Sequence, residues 1–557
     1  MSEISGKILI KEINEENKEF SKLSKEEVNT FFDVLNENKI LGWESKLLES
    51  KLDFRDFSKV LDEDIISEEY KEKKIIRIIK GDIVRTKAME SVYMINFKEY
   101  LYQMIIYYIN KNNILYKQGL NEIAGPFILL KYKFQISFTK LYIMLSCFID
   151  KFLTNYFIET DFYSLKSSLS LINLLLRYHS PEVFQIFENS LINPDLYATS
   201  WLLTLFANKC SLNVVYYLWD KIILFNDPLF IHFFIIAYLI KNKNKFFEVD
   251  CNIILSILSQ LRINDLDEVN EVIEIAIDLR DNTPYSFYLF ANNLDIFNYG
   301  SKKLKELYEK YNPDNMLAIP LFPSEIFFII YKDIIKCPDD KCKNFLNKKN
   351  NIENKEKCIF CRNKNIKNEL FYVIFDLRIF DSKESNFISS AFPGFLPKTI
   401  TISNDVYNNK NFPKNILKEY LNDKEKTHFI IMTSDSEYFF KFENEFYIRK
   451  KGDKRGSKAG IFYKMEKELN LKKANELKIK NKNKYNLLIE YDNFKKLVEE
   501  MNFQGFKNVS YVYGGYKNVH SFAIKNKLEL LEHKEKCILC QSNKKKSYEF
   551  KFFKIFK

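Results

Sequence analysis

The 557-residue chain predicts a large all-α unit followed by a small α/β unit. Three observations carry that reading. Apolar residues recur at helical spacing from Ser24 to about residue 300, with few strand signals. From Glu369 the pattern changes to alternating strand and helix. The composition, 46% hydrophobic and 16% aromatic, can fill more than one core, and the length has room for two or three domains.

Taken in order, residues 1–23 are charged and read as a disordered N-terminus without a signal-peptide hydrophobic region. Ser24-Lys25-Glu26-Glu27 opens like a capped helix, with Val28, Phe31, Phe32 and Leu35 on one face. The most apolar run, Pro228 to Ile240, is too short to span a bilayer and reads as a buried helix. Residues 301–367 hold four cysteines among Lys and Asn and read as a linker. Residues 368–530 form the α/β unit, interrupted by a basic insertion at about 449–484. Residues 531–557 form a basic tail. The net charge of +11 is modest for this length and interspersed in sign, so nucleic-acid binding is not expected. With no lipidation signal recognised, a cytoplasmic location is expected.

Two stretches concentrate chemistry. Arg77-Ile78-Ile79-Lys80-Gly81-Asp82-Ile83-Val84-Arg85-Thr86 fits R-x-I-x-x-D-x-x-R-T, and Tyr116-Lys117-Gln118-Gly119 fits Y-x-Q-G. Asp82 and Arg85 lie three apart, so on a helix they share a face and the carboxylate can steer the guanidinium. Both motifs resemble the signatures of the TBC domain, the helical module of GTPase-activating proteins for Rab GTPases. The resemblance implies that Arg85 and Gln118 are catalytic fingers, with Arg77, Asp82, Thr86, Tyr116 and Gly119 supporting them. It also implies a GTP- and Mg-bound Rab partner and no cofactor for that role. A trans-acting arginine would neutralise charge on the transferring phosphoryl group, and a glutamine would orient the attacking water. An isolated exposed Arg or Gln is usually only a solvated side chain, but two motifs in order point further. Later stretches, including His179-Ser180-Pro181, Trp201, Phe206 and Trp219-Asp220, resemble scaffold motifs of the same family. Asp220 is expected to satisfy a backbone or Arg donor, and His179 no catalytic role.

In the second unit Asp376-Leu377-Arg378, Pro393-Gly394, Gly505-Phe506-Lys507-Asn508-Val509 and Gly514-Gly515-Tyr516 resemble a rhodanese-like domain. Sulfur transfer needs a nucleophilic thiolate, whereas the corresponding loop is Thr433-Ser434-Asp435-Ser436-Glu437. No cysteine lies between Cys361 and Cys540's partner Cys537. The unit is therefore read as a catalytically inactive binding module with a small parallel sheet. The pairing resembles the TBC-plus-rhodanese group of the family, and no kinase motif is recognised. That group implies vesicle trafficking between endosomes and the Golgi, golgin-type tethers and peripheral membrane contact. It also supplies an alternative, a non-catalytic adaptor that captures endosome-derived vesicles at the trans-Golgi; the presence of Arg85 and Gln118 departs from that pattern.

Reduced cysteines at paired spacing suggest metal before disulfide. Lys355-Glu356-Lys357-Cys358-Ile359-Phe360-Cys361 and Lys534-Glu535-Lys536-Cys537-Ile538-Leu539-Cys540 are near-repeats. Cys358, Cys361, Cys537 and Cys540 together could supply four thiolates to a structural zinc. Cys337 with Cys342, joined to Cys358 and Cys361, is the other combination. Cys147, Cys210 and Cys251 sit in helical contexts and read as core.

Overall fold

A computed structural model describes residues 34–49, 60, 62–68, 72–88, 96–247, 249–330, 371–379, 394–402, 412–451, 465–531, 533, 537 and 539–540. The N-terminal segment, the expected start of the first helix at Ser24, Cys337, Cys342, Cys358, Cys361 and most of the basic tail lie outside these residues.

The first unit is helical. It runs through α1 (Glu37–Leu48), α2 (Lys73–Val84), α3 (Phe97–Lys111), α4 (Leu120–Phe134), α5 (Tyr163–His179), α6 (Pro181–Asn189), α7 (Leu212–Phe225), α8 (Phe230–Lys241), α9 (Leu266–Asn282) and α10 (Tyr285–Asn293), with further helices between them, Phe138–Phe152 and Pro194–Thr204 among them. Helix α8 is apolar all round, and every residue from Phe230 to Leu239 is buried. It therefore lies at the centre of the unit, packed against α9 and α5, as a helix without a polar face must. No helix among the described residues is long and apolar enough to cross a membrane.

The large aromatics hold the helices in register. Trp219 packs on Phe148 and Phe127, with ring centroids 4.8 and 5.7 Å away, and its indole N–H donates to the Leu205 carbonyl at 3.0 Å. Asp220 finds a donor that sequence spacing does not suggest. The Trp43 indole on α1 donates to its Oδ1 at 2.8 Å, tying the first described helix to α7. A buried indole N–H needs such a partner.

The second unit contains a five-stranded parallel sheet in the order β1-β7-β4-β2-β3, built from β1 (Ile319–Leu321), β2 (Phe371–Asp376), β3 (Thr399–Thr401), β4 (Thr427–Met432) and β7 (Val509–Val512). The small parallel sheet expected from the sequence is present. Its edge strand β1 comes from the 301–367 stretch, which composition alone reads as a linker. Three residues are too few to announce a strand by periodicity. The basic insertion folds back as an antiparallel hairpin, β5 (Tyr447–Lys451) with β6 (Met465–Leu469), followed by a helix at Leu471–Lys480. Helix α11 (Lys482–Phe503) then covers one face of the sheet, and α12 (Gly515–Asn526) follows β7. Gly515 has φ +62 and starts α12 so close to the Thr433–Asp435 backbone that a Cβ would lie 2.5 Å from the Thr433 carbonyl oxygen. Only glycine permits that approach.

The two units are joined by buried contacts. Helix α6 packs on α11, and the Asn508 N–H donates to the Tyr178 carbonyl at 3.0 Å. Glu325, just after β1, accepts from the Tyr285 and Ser286 N–H groups, each at 2.7 Å. Its carboxylate thus caps the N-terminus of α10, where unpaired N–H groups and the helix dipole favour negative charge.

Candidate functional site

Arg85 sits where α2 ends. It occupies the C-cap position, and its N–H closes the last turn on the Asp82 carbonyl at 3.0 Å. Asp82 is buried, whereas the Arg85 side chain is 71% exposed; their Nη2 and Oδ1 atoms lie 2.6 Å apart. The guanidinium satisfies a carboxylate that burial would otherwise make costly. The pair also matters geometrically, because Asp82 holds one nitrogen of the guanidinium fork while the side chain as a whole stays exposed.

The second motif reaches the same carboxylate. The Tyr116 hydroxyl donates to Asp82 Oδ2 at 3.0 Å, and burial together with the Asp82 charge raises the phenol well above its ordinary pKa. Tyr116 therefore stays neutral and remains a donor. Asp82 thus bridges the end of α2 and the loop before α4 through its two oxygens.

Two residues outside the recognised motifs complete the bridge. Asn121 donates from Nδ2 to the Thr86 hydroxyl at 3.0 Å and the Asp82 carbonyl at 3.3 Å. Its Oδ1 accepts from the Gly119 N–H at 3.1 Å and the Tyr116 hydroxyl at 3.3 Å. Glu122 Oε2 accepts from the Lys87 N–H at 2.9 Å. Polar residues opening an apolar helix were the available signal, since a buried Asn must be spent on hydrogen bonds.

Gly119 has φ +108 and lies against Leu203 and Thr204. This left-handed turn sets the direction of its two predecessors. Lys117 turns inward, with Nζ bonded to the Tyr156 carbonyl at 2.8 Å and to the Glu159 carbonyl, and burial holds its pKa down to about 8. Gln118 is exposed. Arg77 lies further back on α2 and is also exposed. Exposed apolar side chains accompany the two polar ones: Ile78 and Val84 on α2, and Leu115 in the second loop. Arg85 and Gln118 are thus an exposed cation and an exposed amide on two segments tied together at Asp82.

Of the four cysteines considered for zinc, Cys358 and Cys361 lie outside the described residues. Cys537 and Cys540 come together beside two histidines that the cysteine spacing left out, His520 and His533. The signal was legible: the chain has only five histidines, and two precede this pair as H-x12-H-x3-C-x2-C. Cys147 and Cys210 are buried in the helical unit.

In the α/β unit, Asp376 and Arg378 form a fully buried pair at 2.5 Å, and Arg378 also donates to the Gly394 carbonyl at 3.0 Å. The Thr433–Glu437 loop is held by Glu490, which accepts from the Ser434 N–H at 2.6 Å and its hydroxyl at 2.7 Å. These bonds give Asp376, Arg378 and Gly394 a scaffold role.

Both motifs and most of the helical unit fall in a stretch that is similar to a known domain family. Residues 42–247 match the family described as the Rab-GTPase-TBC domain. Among similar curated proteins, a TBC domain-containing protein kinase-like protein of Homo sapiens is 29% identical over 119 residues, 21% of this chain and 13% of the relative. The protein of the same description in Dictyostelium discoideum is 25% identical over 190 residues, 34% of this chain and 18% of the relative. The similarity thus spans less than a fifth of either relative. Solved structures similar to the chain include the Ypt/Rab-GAP domain of Gyp1p, at 16% identity and TM-score 0.32, covering 46% of this chain and 80% of that one. A Chlamydomonas flagellar RabGAP TBC domain gives 15% identity and TM-score 0.29, covering 46% and 95%.

Proposed function

We propose that the chain is a GTPase-activating protein for a Rab-family GTPase, working through Arg85 and Gln118. The observation that supports this reading is the Asp82 bridge: one buried carboxylate accepts from the Arg85 guanidinium and the Tyr116 hydroxyl, tying the two motifs together while Arg85 and Gln118 stay exposed. On docking, the Arg85 guanidinium stabilises the charge that develops on the γ-phosphoryl oxygens. Its fork can bond two of them at once. The Gln118 amide accepts from and donates to the attacking water, holding it in line. The nucleotide and its Mg²⁺ belong to the partner. Such an arginine accounts for roughly 10³–10⁵ in rate for GTPases generally.

Vesicle trafficking, a Golgi or endosomal location, golgin-type tethers and peripheral membrane contact extend the same reading. We further read the α/β unit as a rhodanese-like binding module without sulfurtransferase activity, since its Thr433–Glu437 loop contains no thiol.

The test is single-turnover GTP hydrolysis across a Rab panel with wild type, Arg85→Ala and Gln118→Ala. The reading expects wild type to accelerate at least one Rab, and Arg85→Ala to lose about 10³-fold of that acceleration. Absence of stimulation on every Rab removes the activator reading and leaves the adaptor, for which both variants would capture vesicles as well as wild type.

A further inference from the structure

We infer that His520, His533, Cys537 and Cys540 bind a zinc ion that fastens the chain after the sheet back onto α12. The four ligand atoms lie within 4.8 Å of one another. His520 Nε2 is 2.9 Å from His533 Nε2, 3.1 Å from Cys537 Sγ and 3.5 Å from Cys540 Sγ; Cys540 Sγ is 3.7 Å from His533 Nε2.

Hydrogen bonding cannot account for this convergence. An imidazole nitrogen carries either one proton or one lone pair, so His520 Nε2 cannot serve three partners. A single cation at the centre serves all four. With Zn–N of about 2.0–2.1 Å and Zn–S of about 2.3 Å, a tetrahedral site has edges of roughly 3.3–3.8 Å. The separations around His520 fall close to that range, and a small outward shift of the ring nitrogens completes it. Two imidazoles with two thiolates are a borderline-soft donor set that selects zinc over Mg²⁺ or Ca²⁺, which take oxygen.

The surroundings are those of a structural site. His520 and Cys537 are buried, and the Cys540 N–H donates to Cys537 Sγ at 3.1 Å, a bond that stabilises a thiolate. Leu530 and Leu539 belong to the apolar cluster of α12, and four protein donors leave no position open for substrate. Just before His533 the chain forms a single bridge, Leu531 with Phe395. A ligand from α12 and three from the following segment would therefore close the unit beyond its last helix. The set shares Cys537 and Cys540 with the four-cysteine expectation and completes it with histidines.

The experiment uses the full chain, purified and dialysed against a weak chelator. Elemental analysis is expected to find one zinc per chain, and Co²⁺ exchanged into the site should give thiolate-to-metal charge-transfer absorption. His520→Ala and Cys537→Ser should each weaken metal binding at least about tenfold, while Cys358→Ser with Cys361→Ser retains it. Should the ligand variants fail to fold, alkylation of wild type substitutes: Cys537 and Cys540 should be protected with zinc and labelled after strong chelation. A chain without zinc and without a Co²⁺–thiolate band overturns the inference, as does zinc that depends on Cys358 or Cys361, or labelling of Cys537 and Cys540 indifferent to chelation.

Discussion

At the residue scale, Asp82 links the two motifs. A buried carboxylate without partners is costly, and this one is satisfied by a guanidinium and a phenol that belong to two different motifs. On the proposed function, Tyr116 positions Arg85 through Asp82. Tyr116→Phe should cost about 1 kcal/mol of stability, the typical price of one such bond. It should also lower the rate constant of the stimulated Rab reaction while leaving the affinity for the GTP-bound Rab within about twofold, because only the transition state uses the placed guanidinium. Equal loss in rate and affinity would mark Tyr116 as merely structural. The sequence made Arg85, Gln118 and Asp82 legible because their types and spacing fit a motif. It did not make Asn121 and Glu122 stand out, since a helix-opening Asn or Glu is ordinary until its bonds are seen.

At the scale of elements, the second loop depends on its glycine. Gly119 holds φ +108 with Leu203 Cβ 3.5 Å from where a Cβ would stand, so the turn that buries Lys117 and exposes Gln118 is strained for any other residue. Gly119→Ala is expected to destabilise the domain by roughly 1–2 kcal/mol and to reduce stimulated hydrolysis more than unfolding alone explains. Denaturant titration alongside the hydrolysis assay separates the two, and unchanged activity per folded molecule would contradict this role. Helices were readable from their 3.6-residue periodicity, and α8 from an unbroken apolar run too short to span a bilayer. The α/β elements were less so. Strand β2 shows as an apolar run, whereas β1 is three residues whose partner β7 lies far along the chain, a pairing that no local pattern encodes.

At the scale of the whole molecule, buried histidines couple stability to pH. Burial lowers His179 to about 3, with the Lys507 charge adding to the effect, and lowers His232 and His428 to about 4. His179 bonds to Thr283 and His428 to Ser510, while His428 also meets the Tyr178 ring edge-on across the junction of the units. A depressed folded pKa means that the unfolded chain binds the extra proton. The stabilisation is therefore present above about pH 6.5 and lost as pH falls toward 4. Glu490, pushed up to about 7 by burial, opposes this between pH 7 and 5, and burial raises Glu325, Glu437 and Glu499 in the same direction, so the wild type shows the difference between the two sets. Chemical denaturation of wild type and His179→Gln at pH 7 and pH 5 should show a stability change less unfavourable in the variant, with each neutral histidine contributing up to about 2 kcal/mol. The same pH dependence in both would contradict the buried, neutral histidine.

The central claim is that Arg85 stabilises a transition state on a partner's nucleotide, which differential binding reports most directly. A responsive Rab loaded with GDP and aluminium fluoride mimics that state, and the same Rab with a non-hydrolysable GTP analogue mimics the ground state. Arg85→Ala is predicted to weaken binding to the first at least about 100-fold while changing binding to the second less than about threefold. Equal effects on both complexes, or none on either, would contradict the claim.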